Sequence, residues 1–246
     1  MHSTLIDSRF LGSLFSTPEM KHVFSDSSTL ARYTETEVAL ALAEGKLGLI
    51  PTDAAKTIAE RAPKIALDMD RLERETHNVG YPILPLVHQL AEGLGDAGKF
   101  LHWGATTQDI MDTALVLQIR AGLDLVEADL RGVAAQLRRL SAEYRDTPMA
   151  GRTHLQHALP VTFGLKTAIW LGMVERNLER LQQLRPRVLV GQFAGAGGTL
   201  ASLGTRGLDV QVAMMAELKL GVPETTWHTA RDGLAETAQW LGLVTT

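Results

Sequence analysis

Gly151-Arg152-Thr153-His154-Leu155-Gln156-His157-Ala158-Leu159-Pro160 puts two histidines, an arginine, a threonine and a glutamine into ten residues. A connector that only turns the chain is richer in Gly, Asn, Asp and Ser. This one is rich in hydrogen-bond donors and in imidazoles, which titrate near neutrality. It stands between two long helical patterns, and those patterns decide the fold. Upstream, Leu115, Ile119, Leu123, Val126, Leu130, Val133, Leu137 and Leu140 recur at steps of four or three. That seam has the period of helices packed side by side in a bundle. A helix running to about Tyr144 is roughly 45–50 Å long at ~1.5 Å per residue, so it needs long partners. Downstream, Pro160 suits a first helical turn. Phe163, Trp170, Val174, Leu178, Leu181 and Leu184 then form a second stripe, which stops before Pro186.

The remaining chain reads the same way. Residues 1–26 are polar and mixed. A helix is expected from Ser28 to Leu47, where Leu30, Tyr33, Glu37, Leu40 and Ala41 keep a three-to-four spacing. Gly48 and Pro51 close it, and Thr52 or Asp53 caps the next helix, which ends before Pro63. Helical patterns follow over 64–79, 83–94, from near Gly204 to Leu220, and from about Trp227 onward. Gly191, Gly195, Gly197 and Gly198 mark a tight helix–helix connection rather than a phosphate loop, since they fit neither GxGxxG after a strand nor GxxxxGK[ST]. No segment alternates as a strand does. The expected class is all-α: an N-terminal helical domain over 1–111, then part of a long-helix bundle over 112–246.

Composition narrows the function. The chain has 246 residues, 45% apolar and 21% charged, with a net charge of −4 and no long block of one sign. That argues against a nucleic-acid or membrane-surface partner. There are no cysteines, which excludes disulfides and thiolate chemistry and suits a cytoplasmic protein. Asp7 and Arg9 interrupt any signal-peptide run, and no window is apolar enough to span a bilayer.

Three clusters can carry chemistry. His154 and His157 stand three apart. A metal site there lacks further ligands, and the open alternatives are structural histidines or acid–base work by His154. His102, Thr106, Thr107 and Asp109 precede the first long helix, where hydroxyls or a carboxylate cap free N–H groups. The same helix start attracts a substrate carboxylate. His77 follows Glu73-Arg74-Glu75 at a charged helix end. In Trp227-His228-Thr229-Ala230-Arg231-Asp232, Arg231 either holds a carboxylate or pairs with Asp232.

Leu101–Thr113 (LHWGATTQDIMDT), Gly151–Gly164 (GRTHLQHALPVTFG), Gln192–Gly204 (QFAGAGGTLASLG) and Trp227–Glu236 (WHTARDGLAE) resemble the fumarase/aspartase superfamily along essentially the whole chain. The nearest branches are the 3-carboxy-cis,cis-muconate cycloisomerases and the adenylosuccinate lyases. The resemblance implies an all-helical homotetramer, with each active site shared among subunits and with neither redox cofactor nor catalytic metal. It implies addition or removal of a group next to a carboxylate on a small di- or tricarboxylate. By the same resemblance His154 is the general acid or assists it, and His77 pairs with it. His102 lines the substrate site, Thr106 and Thr107 hold the enediolate-like species, and Gln156 and Arg231 hold the rest of the substrate.

Two departures matter. Some muconate cycloisomerases carry Trp where this chain has His154, which leans toward the lyases. The Trp-His-Thr-x-Arg-Asp run leans toward the cycloisomerases, although Ala230 stands where many relatives have Gln. The family's Gly-Ser-Ser-x-Met-Pro-x-Lys-x-Asn loop, which supplies a serine base, is not in these residues. The chain therefore reads as the first part of a longer enzyme and as inactive alone. The expected activity of the whole is lactonising cycloisomerisation of 3-carboxy-cis,cis-muconate or a close analogue, in the protocatechuate branch of aromatic degradation. The alternatives are a C–N lyase releasing fumarate from a succinyl-amine, and a non-catalytic structural bundle.

Overall fold

The computed structural model describes residues 4–245. Nine α-helices are described: α1 (Pro18–Val23), α2 (Asp26–Lys46), α3 (Thr52–Arg61), α4 (Met69–Val79), α5 (Ile83–Leu94), α6 (Thr107–Glu143), α7 (Phe163–Val188), α8 (Gly207–Leu218) and α9 (Asp232–Val244). Two strands, β1 (Pro148–Thr153) and β2 (Gln156–Thr162), pair as an antiparallel hairpin. The all-α class holds with that one exception. Among the described residues no helix is long and apolar enough to cross a membrane.

The chain divides into two compact units. The first runs up to Ala121 and resumes over Leu189–Arg231; the second is Gly122–Val188 together with Asp232 onward. Helix α6 passes from one to the other.

The first unit packs α2, α3, α4 and α5 around Ile50, Ile58, Leu72, Leu86, Leu90 and Leu94, all buried. Side chains fix where these helices start. Thr17, Ser25 and Asp68 each accept a backbone N–H one turn into α1, α2 and α4. Such a cap is worth about 1 kcal/mol. Asp68 corrects the expected helix over 64–79, which begins only at Met69. Gln89 of α5 seals that start by accepting from Asp68 N–H at 2.8 Å and donating to its carbonyl at 3.1 Å. Neither Thr52 nor Asp53 caps α3; Pro51 holds that position without a side-chain bond.

In the second unit the latter part of α6 is accompanied by α7 and α9. Trp240 of α9 donates its indole N–H to the Asn177 carbonyl at 3.1 Å, and Arg187 meets Glu236 at 2.7 Å. Pro186 does not stop α7 but sits in its last turn. Of the expected seam, Val133 and Trp170 are exposed, and beside them on α7 so are Leu165, Ile169 and Met173, which the expected stripe did not include.

The hairpin overturns the reading of Pro160 as a helix start. Pro160 lies in β2 opposite Ala150. Thr153 pairs with Gln156, so His154 and Leu155 form a two-residue turn, with φ of 48° and 61°. Two positive φ values in a two-residue loop mark a type I′ turn, whose twist matches the strands. Asn-Gly is the usual sequence for it; here a bulky pair bears the left-handed backbone.

Candidate active site

The start of α6 is the best-built polar region of the first unit. Asp109, fully buried, organises it. Its Oδ2 accepts N–H from Thr106 at 3.0 Å and from Gly195 at 2.9 Å. Its Oδ1 accepts from Ala194 N–H at 2.9 Å, from His228 Nε2 at 2.8 Å and from the Gln192 amide at 3.4 Å. The capping expected here therefore comes from Asp109, as half of a capping box. That leaves the side chains of Thr106 and Thr107 half-buried, with neither hydroxyl engaged among the described residues. Free hydroxyls beside the free N–H groups of a helix start suit an anion.

The glycine-rich segment lies against this region. A Cβ on Gly191 would come within 2.1 Å of the Met215 sulfur, and Gly195 has φ of 72° beside the Gly104 carbonyl. Both are the close approaches that favour glycine. Gln192 then secures the 226–228 segment, accepting from Trp227 N–H at 2.7 Å and donating to Thr226 Oγ1 at 3.1 Å.

Arg231 does not pair with Asp232. One guanidinium nitrogen reaches both oxygens of Asp112, at 2.9 and 2.7 Å, and the group lies 5.5 Å from the Trp227 ring. Its side chain remains 42% exposed, so part of its donor fork still faces solvent. His102 reaches back to α2, with Nδ1 2.6 Å from Oε1 of fully buried Glu37. Burial works against a charged His102. The hydrogen bond and charge of Glu37, joined by the charge of Asp109, outweigh it and raise the imidazole above its ordinary value.

His77 ends α4, exposed, in the last turn. His154 and Gln156 belong to the second unit, on the hairpin, where both are exposed. The first unit thus holds His77, His102, Thr106, Thr107 and Arg231, and the second holds His154 and Gln156.

Two partners escaped the sequence reading. Glu37 stood inside the apolar spacing of α2, and a carboxylate in a buried stripe was the signal for it. His228 stood in the Trp-His-Thr run, but its bond to Asp109 spans 119 positions. Four other donors occupy Asp109, so it acts there as acceptor and His228 donates from Nε2.

A family model described as Lyase matches residues 15–246. The chain belongs to the fumarase/aspartase superfamily. Its fumarase/aspartase relatives include N-acetyl-S-(2-succino)cysteine lyase of Dickeya dadantii, 44% identical over 97% of this chain and 52% of the relative. The 3-carboxy-cis,cis-muconate cycloisomerase of Pseudomonas aeruginosa is 45% identical over 94% of this chain and 51% of the relative. A crystal structure of a fumarate lyase from Mesorhizobium sp. BNC1 matches with a TM-score of 0.90 at 59% identity, over 94% of this chain and 54% of that one. The chain spans about half the length of the curated relatives it matches. Superfamily enzymes are lyases or cycloisomerases acting on small carboxylates.

Proposed function

We propose that the whole protein eliminates a group from a succinyl-bearing substrate and releases fumarate. The observation that carries this reading is His154 at the apex of the hairpin, exposed and in a left-handed backbone. Strained, exposed, titratable residues are found where function holds them in place. Elimination needs a proton donor for the departing nitrogen or sulfur, and an imidazole supplies one near neutrality. A base removes the proton β to that heteroatom. The electron pair passes through an enediolate-like carboxylate and expels the heteroatom, which takes its proton from His154. Thr106, Thr107 and the α6 start hold the charged carboxylate, as preorganised donors do. His77 pairs with His154, and Gln156 and Arg231 contact the remainder of the substrate.

This reverses the order of the two sequence expectations. The relative at 59% identity is a fumarate lyase, while the cycloisomerase stands at 45%. Cycloisomerisation of a carboxymuconate remains the second reading, favoured by the Trp227-His228 run docked on Gln192 and Asp109. In the whole protein, residues 1–111 form an N-terminal domain and 112–246 the first part of a bundle. The assembly is a cytoplasmic homotetramer whose subunits share active sites, with a serine from a further loop as base.

An ultraviolet assay of the full-length protein separates the readings. Offered a succinyl-amine, a succinyl-thioether and 3-carboxy-cis,cis-muconate, it is expected to release fumarate from one of the first two. Loss of muconate absorbance without fumarate from either succinyl substrate would replace elimination with ring closure.

A further inference from the structure

The interior of the first unit holds two carboxyls that lack the usual partners. Glu37 and Glu44 lie two turns apart on α2, and both are fully buried. Oε2 of Glu37 and both carboxyl oxygens of Glu44 have no hydrogen-bond partner. Buried polar atoms are nearly always paired, so each needs a physical account. Glu44 keeps its proton: burial, and then the charge of Glu37, push its pKa up to about 8. Glu37 has one partner, the Nδ1 of His102 at 2.6 Å.

The His102 side of this pair is also unusual. The residue reaches Glu37 from a left-handed backbone, with φ of 61°. Its ring is 22% exposed, and its Nε2 has no partner among the described residues. It stands four positions before Thr106, and the charge of Asp109 acts on it.

We propose that Glu37 is a positioning residue that fixes His102 as an imidazolium, whose free Nε2–H holds a carboxylate of the substrate at the start of α6. The inference deepens the elimination reading and rests on its carboxylate substrate. Its logic lies in the two faces of an imidazole. A neutral His102 donating Nδ1–H to Glu37 presents a lone pair at Nε2, which repels an anion. The protonated ring donates at both nitrogens and attracts one. The buried charge of Glu37 therefore decides whether this position draws a carboxylate in or turns it away.

The other groups acting on the pair are Glu44 from α2 and Asp109 from α6. Glu44 is neutral at physiological pH. Asp109 is engaged by five donors, one of them His228. Both leave Glu37 as the carboxylate in direct contact with the ring.

Glu37→Gln in the full-length protein tests this, with fumarate as the probe and calorimetry as the readout. At about pH 7.5 fumarate binding is expected to weaken ~10-fold, with KM following and kcat changing about threefold or less. As the pH falls to about 5.5, solvent protonates His102 in the variant and the loss is expected to narrow to about threefold or less. A loss of equal size at both pH values, or none at either, would overturn the proposal. Glu37→Gln combined with His102→Gln leaves no unpaired charge if the single variant folds poorly. The pair is expected to bind fumarate as His102→Gln alone does; a further loss in the pair would overturn the proposal. If Glu37→Gln shows this pH pattern of fumarate binding while the wild-type protein releases no fumarate from succinyl substrates, the elimination reading falls and the role of Glu37 stands.

Discussion

In the first unit, polar side chains are buried and paired across long stretches of sequence: Glu37 with His102, Asp109 with His228, Asp112 with Arg231. In the second, the hairpin turns His154, Leu155 and Gln156 outward, and Leu165, Ile169 and Trp170 of α7 are exposed on the helix that follows. One unit anchors His102 and Arg231 on buried carboxylates; the other presents His154 and Gln156 on an exposed turn. Buried, paired groups are held in place before any ligand arrives. An exposed histidine on a strained turn, beside bare apolar side chains, suits a group completed by association. Substitutions at the buried pairs of the first unit are therefore expected to cost stability, and those at the exposed hairpin tip to leave it nearly unchanged.

The sharpest way to break that contrast is His154→Ala in the full-length protein. Turnover is expected to fall about 10³-fold, the scale of a lost proton donor, with the melting temperature within about 2 °C of wild type. An unchanged rate would return His154 to a structural role. In the first unit, Asp109→Ala removes the acceptor of five hydrogen bonds at a fully buried position. Urea unfolding is expected to show a loss of about 3 kcal/mol. A loss below about 1 kcal/mol would mean that water replaces those contacts freely.

Glu44 gives a smaller, pH-dependent effect. The native carboxyl keeps its proton up to about 8, while the unfolded one releases it near 4.5, so the native state binds more protons between those values. Stability is full below that window, falls as the pH rises through it, and is flat above. Glu44→Gln removes the titration, so it is expected to flatten this loss and gain about 2 kcal/mol at pH 8 relative to wild type. Parallel pH profiles for the two proteins would contradict the buried, unpaired state of Glu44. The smallest effect is expected at the turn: Leu155→Gly relieves a left-handed leucine and is expected to stabilise the chain by about 1 kcal/mol in thermal unfolding. A clear destabilisation would show that the exposed leucine packs against something in solution.

The helices were legible because Leu, Val and Ala recur at helical spacing between Gly and Pro breaks, as in α2, α5 and α6. The hairpin was not. Both its strands are largely exposed, so no buried face imposes alternation, and His154-Leu155 lacks the glycine or asparagine that announces a type I′ turn. Pro160 reads equally as a helix start or as an edge-strand residue, and only the pairing with Ala150 decides. The candidate residues themselves were visible as motifs. What they touch was not, because His102 finds Glu37 across 65 positions and Arg231 finds Asp112 across 119. Local spacing carries no information about such pairs.

The proposed elimination takes His154 and Thr107 from different copies of the chain. Subunit mixing tests it most directly. His154→Ala and Thr107→Ala full-length proteins, each expected to be nearly inactive, are combined under mild denaturant and reassembled. Recovery of about a tenth or more of wild-type fumarate release is predicted, since hybrid assemblies regain sites with both residues intact. No recovery, with hybrids verified by mass, would contradict the claim and place both residues of each site within one copy.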